Sequence, residues 1–184
     1  MINKIIFITI LSLQFIFSQT LNMNEINTLS REKAQDVFKE YREFLSLPND
    51  ANKPDELEPN MLWCEKAFKK RGFTTERLKT KRLPLILAER KHPGANKTVL
   101  FYIQIDGQPV DPSKWLQKGP FVPTLKKQTK KDDWETIPWE SLYDNYDDDW
   151  RIFARSASDA KGPINTFLIA LDIIADKGIL PNYN

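Results

Sequence analysis

The sequence predicts an α/β protein in which a mixed β-sheet is flanked by helices. Three observations carry that expectation. Two amphipathic helical patterns come early, over residues 30–47 and 60–70. Three strand-like stretches follow, over residues 74–78, 83–89 and 98–105. A last helical stripe, Ile164, Phe167, Leu168, Leu171 and Ile174, comes near the end of the sequence.

Composition narrows the class further. The 184 residues suit one domain, and 41% hydrophobic with 28% charged residues excludes global disorder. A net charge of +2 excludes nucleic-acid binding driven by bulk charge. A single Cys excludes an intrachain disulfide, and a single His excludes any zinc site that needs two imidazoles.

The elements can be justified in order. Lys4, the apolar run 5–17 and Ser18 have the layout of a secretory signal peptide over residues 1–18. The run is shorter than the ~20 apolar residues of a membrane span, and Gln14 interrupts it. The expectation is a secreted or periplasmic protein with residues 19–184 as its folded part and no stable membrane anchor. In the first helix, Ala34, Val37, Phe38, Tyr41, Phe44 and Leu45 share one face. Ser30 is its expected N-cap, and Pro48-Asn49-Asp50 its stop. Residues 54–59 read as a polar connection. Met61, Leu62, Cys64, Ala67 and Phe68 pattern the second helix, which Arg71-Gly72 ends. Cys64 reads as a small buried residue rather than a nucleophile.

His92-Pro93-Gly94-Ala95-Asn96 is turn chemistry between the second and third strands, which predicts a hairpin there with His92 exposed. The continuously apolar Val99-Leu100-Phe101-Tyr102-Ile103 predicts a central strand buried on both faces. Residues 106–151 read as a long irregular loop carrying a basic run (Lys126, Lys127, Lys130, Lys131) and an acidic run (Asp144, Asp147, Asp148, Asp149), both taken as solvated. The acidic run lacks the spacing of a calcium loop. Trp115, Trp134, Trp139 and Trp150 suit either a carbohydrate platform or packing of the loop on the sheet; packing is the expectation. Pro163 starts the last helix, and Gly178 with Pro181 ends it.

Two stretches carry chemistry. One runs Leu100-Phe101-Tyr102-Ile103-Gln104-Ile105-Asp106-Gly107-Gln108-Pro109-Val110, with Trp115 and Pro120-Phe121-Val122-Pro123 after it. The other runs Arg151-Ile152-Phe153-Ala154-Arg155-Ser156-Ala157-Ser158-Asp159-Ala160-Lys161-Gly162-Pro163. Together they resemble the co-catalytic zinc peptidases and deacylases: carnosinase, aminoacylase, succinyl-diaminopimelate desuccinylase and carboxypeptidase G. The resemblance implies the N-terminal part of a zinc-peptidase catalytic domain, truncated before the dimerisation domain. It implies two zinc ions and a peptide or N-acyl amino acid substrate. Asp106 matches the family's carboxylate behind the first ligand, Asp159 matches the carboxylate that bridges the metals, and Gln104 stands where the family has a metal-binding His. Ala154 and Ser156 replace two glycines, and Ala160 replaces a second Asp. The catalytic Glu, its Glu neighbour, a further acidic ligand and a distal His lie, in the family, beyond the counterpart of Asn184.

Two readings follow. The chain is the N-terminal portion of a secreted dinuclear-zinc dipeptidase or amidohydrolase, inactive alone and completed by a C-terminal half. Alternatively, it is a non-catalytic relative, a secreted binding module or a remnant.

Overall fold

The computed structural model describes residues 21–184, so the expected signal peptide lies outside the described residues. Helix α1 spans Met23–Leu45, and its cap is Asn22 rather than Ser30. The Asn22 side chain accepts from the Glu25 N–H, and the Glu25 carboxylate accepts from the Asn22 N–H. The apolar stripe missed these turns because they are largely exposed; burial begins at Val37 and continues through Tyr41, Phe44 and Leu45.

Helix α2 spans Pro54–Lys70, so the stretch read as a polar connection is its first turn and a half. Pro54 fits there because a first-turn residue has no N–H partner to lose, and Asp55 and Glu56 complement the helix dipole. Pro59 sits inside the helix and removes one N–H donor. Gly72, with φ of +80°, then turns the chain. The rings of Phe44 and Trp63 stack 4.0 Å apart, 2° from parallel, joining α1 to α2.

Strands β1 (Thr74–Leu78) and β2 (Leu85–Glu89) pair antiparallel, from Thr74 with Glu89 to Leu78 with Leu85. The hairpin therefore joins the first two expected strands through the 79–84 turn, and the hairpin expected across the His92 turn does not form among the described residues. The 79–84 turn closes through Thr80, whose hydroxyl donates to the Leu83 carbonyl at 2.6 Å. His92 is half-buried, correcting its expected exposure; its Nε2 accepts from Arg90 Nε at 3.1 Å. Residues 98–105 form no strand among the described residues, and Leu100 is 80% exposed. The apolar run suited a central strand, but no neighbouring strand pairs along it here.

The long loop contains structure of its own. Strand β3 (Thr124–Lys130) pairs antiparallel with β4 (Asp133–Thr136) and with β5 (Arg151–Phe153), in the order β4-β3-β5. The basic run therefore rides largely on a hairpin: Lys126 is buried, with Nζ 4.5 Å from the centre of the Phe153 ring. Short 3₁₀ turns at Pro112–Lys114 and Trp139–Tyr143 link these parts. Trp139 is buried with Leu125 and Leu142 in a small second core, and Trp150 packs against it. These two tryptophans serve packing.

Helix α3 spans Lys161–Asp176. Its Ile164, Leu168 and Leu171 meet Phe44, Cys64 and Ala67 in the main core. Arg71, only 5% exposed at its side chain, forks onto Asp172 with two 2.7 Å hydrogen bonds and ties the end of α2 to α3. The architecture is thus α/β, with helices against two small antiparallel sheets. No helix among the described residues is long and apolar enough to cross a membrane.

Candidate functional site

Three segments converge at the end of the apolar stretch. The first is the turn after α1. Asn49 is fully buried there, and its side-chain amide is the hub of the site. Its Nδ2 donates to the Ile105 carbonyl at 2.9 Å and to Ser156 Oγ at 3.0 Å. Ser156 Oγ also donates to Asn49 Oδ1 at 3.2 Å. The Asn49 carbonyl accepts from the Gly107 N–H at 2.7 Å, and the Gly107 carbonyl accepts from the Ala51 N–H at 3.0 Å. That last pair of bonds makes a parallel bridge between Asp50 and Gly107.

Glycine is required at 107 for space. A Cβ there would lie 2.7 Å from Ser156 Oγ and 3.0 Å from Asn49 Oδ1. Ser156 itself has φ of +63°, the left-handed region that favours glycine. The family pattern places glycine at this position, and here a serine keeps the backbone shape and adds a hydroxyl to the knot.

The second stretch reaches back further. Arg155 Nε donates to the Gln108 carbonyl at 3.0 Å, and the Arg155 N–H donates to the Pro120 carbonyl at 2.7 Å. The words Asp106-Gly107-Gln108, Pro120-Phe121 and Arg155-Ser156 are therefore neighbours in space. The Asp159–Ala160 peptide follows and is cis.

Lys161 anchors the loop from below. Its side chain is fully buried, and Nζ donates to the Phe44 and Leu47 carbonyls at 2.6 Å each. Phe44 lies in the last turn of α1 and Leu47 just past its cap, where carbonyls have no helical N–H ahead of them to accept from. Burial pushes the amine down to about 7. Nζ also sits 4.6 Å from the centre of the Phe44 ring. Cys64 shares this interior, and burial pushes its thiol up to about 12. The Tyr41 hydroxyl donates to the Ala157 carbonyl on the same loop. A cleft of about 370 Å³ adjoins it, lined by Phe38, Tyr41, Tyr146, Trp150 and Ser158.

The residues singled out in the sequence sit on this frame. Gln104 is exposed, Asp106 is half-buried and Asp159 is exposed. Asn49 joins the segment bearing Gln104 and Asp106 to the loop bearing Asp159. The three side chains do not themselves form a hydrogen-bonded group. Asn49 escaped sequence reasoning because Pro48-Asn49-Asp50 is fully explained as a helix stop. Nothing in the pattern signals that the amide turns inward.

The donors present do not complete a metal site. Among the described residues no three His, Cys, Asp or Glu side chains come together in a metal-holding group. A catalytic zinc takes three protein ligands, and an exposed amide at Gln104 is a poor substitute for imidazole.

No protein-family model matches the chain, and none of the curated proteins matches it. Solved structures do. An M20 family metallo-carboxypeptidase, Sso-CP2, from Sulfolobus solfataricus is 29% identical with a TM-score of 0.55, over 75% of this chain and 26% of that one. Human carnosine dipeptidase 1 is 22% identical with a TM-score of 0.58, over 82% of this chain and 32% of that one. The dipeptidase Dug1p of Saccharomyces cerevisiae is 16% identical with a TM-score of 0.56, over 82% and 31%. The chain spans about a quarter to a third of the length of these neighbours. The fold is that of part of a metallopeptidase domain. More narrowly, it is part of the M20 peptidase fold.

Proposed function

We propose that this chain is the N-terminal portion of a secreted dinuclear-zinc metallopeptidase that hydrolyses peptide or N-acyl amide bonds. The observation that carries the reading is the Asn49 knot, which joins the Asp106 segment to the Asp159 loop across most of the sequence. In this reading Asp159 is a metal-bridging carboxylate, Asp106 orients the first ligand and Gln104 occupies the place of that ligand. Zinc would polarise the scissile carbonyl and activate water in the completed site. The chain's own part is structural: Asn49, Ser156 and Lys161 hold the carboxylate-bearing segments in place. The remaining ligands and the general base come from a complementing C-terminal half. The mismatch of donors described above supports inactivity of the 184 residues alone.

The test is capture of the native protein from its cells with an antibody against residues 21–184, then assay on dipeptides and N-acyl amino acids. The expected result is hydrolysis that a chelator abolishes and that Asp159→Ala removes. Folded captured material with neither hydrolysis nor zinc would favour the non-catalytic binding module instead.

A further inference from the structure

The tip of the β1–β2 hairpin is basic and uncompensated. From Arg77 to Ala88 the sequence holds four cations and no acid. Arg77 is paired with Glu58 and Glu65 on α2. Lys79, Lys81 and Arg82 are exposed, and none of them pairs with a carboxylate among the described residues. The other basic run differs. On the β3–β4 hairpin Lys127 pairs with Glu135, and Lys130 and Lys131 are followed directly by Asp132 and Asp133.

The tip is fixed in shape and in place. The Thr80 hydroxyl, which holds the Leu83 carbonyl, also accepts from the Arg82 N–H at 3.2 Å. Arg82 Nη2 donates to Asn52 Oδ1 at 3.0 Å. The Asn52 N–H donates to Asp50 Oδ1 at 2.9 Å, and Asp50 bridges Gly107. Gly107 follows Asp106, so the tip stands beside the candidate site. The partner of Arg82 is a neutral amide, which leaves the guanidinium charge unneutralised and the rest of its donor fork free for an anion.

We propose that the 79–82 tip recognises acidic peptides, with Lys79, Lys81 and Arg82 taking the carboxylates of Asp or Glu side chains beside the Asp106 segment. Clustered cations on a set backbone attract an anion, and a guanidinium fork matches a carboxylate in geometry. The metallopeptidase reading makes that peptide a substrate, so the substrate half of the proposal rests on it. The binding half rests on the tip alone.

The experiment titrates the 184-residue protein with Glu-Glu-Glu-Glu and with Gln-Gln-Gln-Gln at low salt, read by NMR amide shifts. The expected result is saturable movement of the Lys79–Arg82 amides and of the Asn52 side-chain amide, with about 10-fold tighter binding of the Glu peptide. That preference should vanish in about 0.5 M salt, where screening acts within a few ångströms. The triple variant Lys79→Gln, Lys81→Gln, Arg82→Gln should lose it, and Lys127→Gln, Lys130→Gln, Lys131→Gln, which removes the same charge elsewhere, should keep it. An unmoved Leu168 amide reports that each variant is folded. On the protein captured from its cells, Ala-Glu should show a KM about 10-fold below that of Ala-Gln, and the tip variant placed in the native gene should remove the difference. Equal binding of the two tetrapeptides, equal loss in both triple variants, or a KM preference that survives the tip variant would each overturn the proposal. Captured protein that hydrolyses neither dipeptide yet binds the Glu peptide at the tip would end the metallopeptidase reading and leave the acidic-peptide site standing.

Discussion

Replacing Gly107 with alanine tests the knot on which the site rests. The new methyl would enter a space where Ser156 Oγ lies 2.7 Å away and the Asn49 amide atoms 3.0 and 3.1 Å away. Both neighbours are buried, and neither side chain is long enough to swing clear. Overpacking of this kind costs ~1–3 kcal/mol. Displacing Ser156 also breaks its bonds with Asn49, at ~1 kcal/mol each. Gly107 is not held at positive φ, so alanine returns ~0.4–1 kcal/mol by restricting the unfolded chain. The net expectation is a loss of ~2–3 kcal/mol, which for a chain of this size lowers Tm by roughly 5–10 °C. Thermal and urea unfolding of the 184-residue protein measure it. Gly107→Ala with Ser156→Gly should recover about half of the loss, since the second change removes the clashing oxygen and suits the φ of +63°. A Gly107→Ala protein as stable as its parent would refute the packing argument.

Further outcomes follow from other contacts. Arg71→Met should cost ~3 kcal/mol in urea unfolding, because it leaves the Asp172 carboxylate without its two-bond partner in a partly buried setting. Lys161→Met should cost ~2–4 kcal/mol, since the Leu47 carbonyl loses its partner and the Phe44 carbonyl loses one of its bonds. A thiol held near 12 by burial stays protonated at ordinary pH, so native Cys64 should resist alkylation at pH 8 and react at once after unfolding in denaturant.

The helical half of the fold was legible in the sequence because helical burial repeats at short spacing. The Phe44, Cys64, Ile164, Leu168 and Leu171 core follows from stripes within single helices. The start at Met23 was missed because its first turns are exposed, and the start at Pro54 because Pro54, Pro59 and the charged residues between them mask the single buried Leu57. The strands were harder, since pairing joins residues far apart. Thr74 pairs with Glu89, and Thr124 with Phe153, and no local pattern announces either partner. The long loop hid a hairpin because its exposed faces carry lysines that look like solvated loop. The site was legible as words, Asp106 and Asp159 among them, through resemblance. The amide that joins those words was not, because Asn49 has an ordinary turn explanation in sequence and an uncommon burial in the fold.

Zinc stoichiometry of the 184-residue chain tests the central claim most directly. These residues carry part of a metallopeptidase fold and, in the proposed reading, an incomplete set of ligands. Elemental analysis after equilibration with zinc and gel filtration should give less than one ion per chain, unchanged by Asp159→Ala. One or two ions per chain, lost on Asp159→Ala, would contradict it and place a complete metal centre within these residues.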